Sequence, residues 1–145
     1  MTTKGSIGVK KLDRDARLIE KANRGDLGYD IFANENVAIS PGKSELVETG
    51  VALQPPEGWG LFIKDRSSYA SSKNLETAAG VLDHGYRGEV KVLIRNHEKR
   101  LYRVLRGDKI AQLVPIPVSN FDVKQINEFS QTERGSDGFG STGEK

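Results

Sequence analysis

The chain has 145 residues, 22 Lys+Arg against 20 Asp+Glu for a net charge of +2, and no cysteine, which bounds it to one compact domain. That composition excludes a disulfide framework, a thiolate nucleophile and a zinc site built on sulfur. The N-terminus lacks the apolar run of a signal peptide and no segment approaches the roughly 18 apolar residues of a membrane span, so a cytoplasmic protein with no membrane partner is expected.

In chain order, short apolar stretches alternate with turn residues. Residues 7–9 form the first candidate strand. Residues 13–22 have helix-forming composition, but Ala16, Leu18, Ile19 and Ala22 make a weak stripe that suits an ordered loop equally well. Ser40-Pro41-Gly42 marks a turn before a candidate strand at 45–53, and Pro55-Pro56-Glu57-Gly58 a turn before another at 61–63. Residues 67–73 read as one or two helical turns, with Ser67 or Ser68 as N-cap and Asn74 as a left-handed residue at the end. Glycines bracketing 80–88 suggest a tight β-hairpin. The stretch 89–95 alternates most clearly, with Val90, Val92 and Ile94 on one face, Lys91 and Arg95 on the other, and Leu93 the exception.

Candidate strands at 101–105 and 110–116 flank the turn Arg106-Gly107-Asp108, and 121–123 forms a last one. Pro115 and Pro117 alternate within an apolar run, a pattern confined to a sheet edge or to a strand exchanged between subunits. Residues 133–145, with Gly135, Gly138, Gly140 and Gly143, have almost nothing to bury and read as a mobile arm beyond a folded domain at 1–132. The expected fold is all-β, a single-domain sandwich or barrel with one short helix.

Several familiar patterns fail on context. Gly42-Lys43-Ser44 looks like the end of a phosphate-binding loop, but Val37 stands where its first glycine belongs and a strand follows. Gly138-Phe139-Gly140-Ser141-Thr142-Gly143 matches a dinucleotide fingerprint by letter, yet only Glu144 and Lys145 remain to build the helix it must open. His84 and His97 lack a third nitrogen ligand, and no serine sits in a nucleophile elbow. Lys10, Lys11, Arg100, Arg103 and Arg106 are interleaved with acids, so nucleic acid is not an expected partner.

What remains is polar residues at strand ends and turns, where a rigid β scaffold displays them. They are Gly28-Tyr29-Asp30, Arg66-Ser67-Ser68, the segment 80–88, the segment 106–113 and the segment 134–143. Arg66, Ser67 and Ser68 suit either a phosphate or an ordinary helix start with a surface arginine. Asp83 is a turn aspartate or a carboxylate that orients a water. Tyr86 is an edge aromatic or a ring packed on a ligand, and Gln112 is a satisfied amide or a ligand contact on an otherwise apolar strand. Arg134 and Phe139 are tail residues able to meet a phosphate and a base.

In this order and spacing the five segments resemble the trimeric dUTPases, which split dUTP into dUMP and pyrophosphate. The resemblance implies a distorted jelly-roll of the β-clip type, a homotrimer with shared active sites, and Mg²⁺ as cofactor. It implies that Asp83 is catalytic and activates water for in-line attack on the α-phosphorus, and that Arg66, Ser67, Ser68 and Gln112 hold phosphates. Main chain around Gly80 and Val81, with a further contact at Lys91, would receive uracil, Tyr86 would pack on the deoxyribose, and Asp30 would support the metal through water. Arg134, Phe139, Gly140, Ser141 and Thr142 would close over a neighbouring subunit's site. The implied role is to keep uracil out of DNA and to supply dUMP for dTTP synthesis.

Three positions depart from the family pattern. Asp137 stands where glycine is usual, adding a charge near a triphosphate and a side chain where a positive φ is expected. Thr77 replaces an Asn that some members use to read uracil, and Asp65 replaces a small residue or proline before Arg66. A dCTP deaminase of the same fold would need a Glu ten residues past Asp83, where Leu93 stands. The remaining alternative is a catalytically weak dUTP-binding module on the same scaffold.

Overall fold

The computed structural model describes residues 5–140 and Gly143. In chain order its elements are β1 (Gly8–Lys11), β2 (Tyr29–Phe32), β3 (Val37–Ile39), β4 (Ser44–Gln54), β5 (Trp59–Lys64), α1 (Ser67–Ser72), β6 (Leu75–Ala78), β7 (Val81–Leu82), β8 (Glu89–Asn96), β9 (Tyr102–Val104) and β10 (Lys109–Pro117). Two four-stranded antiparallel sheets, in the orders β1-β4-β8-β6 and β2-β10-β5-β7, are joined by the ribbon β3-β9. The fold is all-β and jelly-roll-like, with one short helix.

Alternation decides which faces meet. On β8, Val90, Val92 and Ile94 are fully buried while Lys91 and Arg95 face solvent. They pack with Val47 and Val51 of β4, Ile31, Leu61, Ile63 and Leu113 of the second sheet, and Ile39 and Val104 of the ribbon. The last inward position of β8 is polar. Asn96 is fully buried, its amide donates to the carbonyls of Ile39 (2.9 Å) and Arg100 (2.8 Å), and its carbonyl accepts from Glu98 N–H at 2.9 Å. It therefore pins the ribbon to the first sheet. Asn96→Ala, which strips partners from buried main-chain groups, is expected to lower the unfolding free energy in a urea titration by about 3 kcal/mol.

Residues 13–22 form a loop. Asp13 competes with the helix for backbone donors, accepting from Asp15 N–H at 3.0 Å, and its other oxygen takes the Asn34 amide at 2.9 Å. The Asp15 N–H and the Asn34 amide hold the Asp13 carboxyl below its ordinary range. The helix begins differently from expectation: Arg66, not Ser67 or Ser68, is the N-cap, in extended conformation and with no side-chain capping bond. Its end agrees, with Asn74 at φ +51°.

Segment 80–88 is not a hairpin between paired strands. β7 pairs with β5 in one sheet and β8 with β4 and β6 in the other, so the segment crosses between sheets. Residues 121–123 form no strand, because no strand among the described residues pairs with them, and Phe121 and Val123 are exposed. The prolines of β10 fall where it outruns β2: their last shared pair is Leu113 with Tyr29, while β5 continues to Pro117. Val118 N–H points to Gly58 on the β5 side at 2.8 Å, so by alternation Pro115 and Pro117 occupy positions whose N–H would face the vacant side.

Candidate active site

The polar residues gather in two places along β5. At its C-terminal end, Gln112 of β10 stands between Asp30 of β2 and Lys64 of β5 in the strand register. Its amide donates to the main-chain oxygen of Asp65 at 2.9 Å. Arg66 Nη1 donates to the Lys109 carbonyl at 3.3 Å, and its Cζ lies 5.8 Å from the ring centroid of Tyr69, the one buried residue of α1. Burial pushes the Tyr69 hydroxyl up from its ordinary value, so the ring beneath Arg66 stays neutral. Lys109 Nζ lies 3.3 Å from Asp30 Oδ2, and the Asp30 side chain is only 17 % exposed. Paired main-chain bonds with Glu20 fix the strand at Asp30. Ser67, exposed, and Ser68, half-buried, open α1 beside this cluster.

The second place is the crossing between β7 and β8. A hollow of about 200 Å³ is lined by Val81, Leu82, Asp83, Tyr86, Glu89 and Lys91. A turn closed by Tyr86 N–H to Asp83 O (3.1 Å) presents Asp83 to solvent. The Tyr86 hydroxyl donates to the Glu89 carbonyl at 2.7 Å, laying the ring over Gly88, where any Cβ would collide with it. Gly80, at φ +114°, leaves no room for a side chain: a Cβ would sit 2.7 Å from the Ile63 carbonyl. Its own carbonyl is committed to Ile63 N–H at 2.6 Å.

These two places do not merge within one chain. Leu82 pairs with Leu61 and the chain turns at Asp83 past Gly60, whereas Gln112 pairs with Lys64. Gly60 to Lys64 spans about 13 Å of strand at about 3.3 Å per residue, and Arg66 lies beyond. Asp30, Arg66 and Gln112 are thus brought together, as are Val81, Asp83, Tyr86 and Lys91, but not the two sets with each other.

The arm stands apart from both. Arg134 Nε donates to Asp137 O at 2.7 Å and Gly135 N–H to Thr132 Oγ1 at 3.0 Å, bonds that stay within residues 132–137. Phe139 is fully exposed. Among the described arm residues positive φ falls on Gly135, Phe139, Gly140 and Gly143 and not on Asp137, so the expected backbone strain at Asp137 is absent. Ser141 and Thr142 lie outside the described residues.

Two residues escaped the sequence reading. Lys109 pairs with Asp30, and its signal was a place three residues before Gln112 at the start of the same strand. Glu89 lines the hollow while its carboxylate takes Gly50 N–H at 2.9 Å, bracing a bulge in β4 between Glu48 and Ala52. No group of three or more His, Asp or Glu is gathered as a metal cage among the described residues. Asp30, a single poorly exposed carboxylate, fits a Mg²⁺ ion that keeps its waters and takes phosphate oxygens from a substrate.

Three comparisons bear on this arrangement. A family model described as dUTPase matches residues 14–143. The deoxyuridine 5'-triphosphate nucleotidohydrolase of Gloeothece citriformis is 42% identical over 139 residues, covering 94% of this chain and 96% of that protein. The Staphylococcus bacteriophage 80alpha dUTPase, solved with dUPNHPP, superposes with a TM-score of 0.89 at 33% identity over 97% of this chain and 99% of that one. A mutant dUTPase from phage phi11 of S. aureus, described with a structural Mg(II) ion, gives a TM-score of 0.80 at 29% identity over 86% and 99% of the two chains.

Proposed function

This chain belongs to the dUTPase family and hydrolyses dUTP, and from that premise we propose how its residues divide the work. The observation that carries the reading is the hollow in which Val81, Asp83, Tyr86 and Lys91 converge. A pyrimidine read there by main chain has no space for the methyl of thymine and mismatches the amino group of cytosine, and Tyr86 against the sugar leaves none for a ribose 2′-hydroxyl. Asp83 orients a water and takes its proton. The water oxygen bonds to the α-phosphorus as the bond to the bridging oxygen of the β-phosphate breaks, which leaves dUMP and pyrophosphate. This keeps uracil out of DNA and supplies dUMP for dTTP synthesis.

Arg66, Ser67, Ser68 and Gln112 hold the phosphates with charged and neutral donors. Arg134, Phe139 and Gly140, with Ser141 and Thr142, form an arm at 133–145 that covers them from a neighbouring subunit. Asp30 would hold Mg²⁺ through water, and the ion would supply neutralisation of triphosphate charge. Deamination has no candidate base, since Leu93 is half-buried and lies between Leu46 and Ala78 in register.

The separation of the two clusters supports an assembly with shared sites, which we read as a homotrimer by resemblance to the trimeric dUTPases, because each cluster lacks what the other holds. Exposed Phe121, Val123 and Phe129, and a hollow of about 450 Å³ lined by Leu27, Trp59 and Pro115 among others, supply apolar surface for such an assembly. No helix among the described residues is long and apolar enough to cross a membrane. A cytoplasmic location suits a nucleotide substrate.

Pyrophosphate release with Mg²⁺ from dUTP, dTTP, dCTP and UTP tests the reading: turnover is expected with dUTP alone. Comparable turnover of dTTP or UTP would overturn the assignment of the hollow. Gly28 offers a second check, since a Cβ there would lie 3.0 Å from Gln112 Cβ and closer still to its amide oxygen. Gly28→Ala is expected to displace the Gln112 amide and lower kcat/KM for dUTP about tenfold, a loss of about 1.4 kcal/mol in transition-state binding, in the same assay.

A further inference from the structure

Two of the departures from the family pattern are bonded to each other. Asp65 Oδ1 accepts from both the N–H and the hydroxyl of Thr77, each at 2.6 Å. The main-chain oxygen of the same Asp65 accepts the Gln112 amide at 2.9 Å, and the next residue is Arg66. Thr77 lies on β6 of one sheet, and Gln112 on β10 of the other. Asp65 is therefore tied to both sheets at the point where the chain leaves β5 to begin α1. That start has no side-chain cap, so the bonds to Asp65 supply an anchor that the helix itself lacks. They also occupy both donors of Thr77.

We propose that Asp65, latched by Thr77, is a positioning residue that sets how Arg66 and Gln112 face the phosphates of the substrate. The inference rests on the reading of the Arg66–Gln112 cluster as the phosphate side of the site. A carboxylate holding two donors on one residue makes charge-assisted bonds, and its removal frees the Asp65 carbonyl that orients Gln112. Thr77 is then a structural partner and not a reader of the base.

The test is steady-state dUTP hydrolysis, together with binding of deoxyuridine, which lacks phosphates, for Asp65→Ala, Asp65→Asn, Thr77→Val and Arg66→Ala. Asp65→Ala is expected to raise KM for dUTP about tenfold with kcat reduced less than about threefold and deoxyuridine binding unchanged. Asp65→Asn, whose carboxamide oxygen accepts both bonds, restores KM to within about twofold, and Asp65→Ala combined with Thr77→Val is no worse than Asp65→Ala alone. If the alanine variant fails to fold, Thr77→Val carries the same expectation of a raised KM and unchanged deoxyuridine binding. An unchanged KM, or deoxyuridine binding weakened as much as dUTP binding, overturns the proposal. Arg66→Ala separates the two failures: if it leaves KM unchanged, the phosphate reading is wrong, whereas a raised KM there beside a normal Asp65→Ala removes the latch alone.

Discussion

Asp83→Asn is expected to lower kcat for dUTP about 10³-fold, within the range for loss of a positioned general base. The side chain is exposed and at a turn closed by main-chain bonds, so the amide should fold as the acid does. Its oxygen can still accept a hydrogen bond from the substrate, which leaves KM within about threefold of the native value. What it loses is the ability to accept a proton from the attacking water. Pyrophosphate release, with a melting curve alongside, measures both. A variant that kept more than a tenth of native kcat would move the base to another residue.

An equimolar mixture of Asp83→Asn and Arg66→Ala chains, co-refolded, is expected to recover about one quarter of native activity at dUTP concentrations near the native KM, where Asp83→Asn alone is nearly inactive and Arg66→Ala alone, with its raised KM, turns over little. The reason is the length of β5, which holds the hollow at one end and the Arg66–Gln112 cluster, proposed as the phosphate side, at the other. If each site takes its hollow from one subunit and its phosphate cluster from another, random assembly places two intact halves together in about one site in four. A site completed inside one chain would recover nothing on mixing. Native mass spectrometry of the refolded mixture, which resolves the lighter Arg66→Ala subunit, confirms that hybrid oligomers formed before activity is read.

Much of the scaffold was legible because strand patterning is local. Val90, Val92 and Ile94 announced the buried face of β8, and Asn74 announced a left-handed helix end. Pairing partners were less legible. Segment 80–88 carries the glycines of a hairpin, yet its first strand bonds to β5, a choice made by packing across the two sheets. The helix start was misplaced because Ser67 and Ser68 are good caps by residue type, while the backbone turns one residue earlier at Arg66. Residues 121–123 carry strand composition without a neighbour to pair with among the described residues.

The candidate site was legible as residues and not as geometry. Asp83, Arg66 and Gln112 stood out as polar groups that a plain β scaffold has no need to hold. Their separation did not, since sequence order places Asp83 between Arg66 and Gln112 while the sheet register sets it apart from both. Asp65 and Thr77 each looked like an isolated oddity. Twelve residues apart in sequence, they meet only because β6 and the end of β5 belong to different sheets that approach at this corner.

The overhang of β10 past β2 bears on how a single chain avoids aggregation. A bare strand edge presents a ladder of donors and acceptors to any extended peptide, and such ladders seed aggregation. Pro115 and Pro117 remove two successive donors from the side of β10 that β2 leaves uncovered. A stray strand approaching there finds carbonyls and pyrrolidine rings but no N–H to continue a sheet. The edge can be enclosed by a shape that fits it, yet it lacks the donors to template a fibril, and in the proposed assembly this would protect a newly made subunit from its own kind until it meets them in the right orientation.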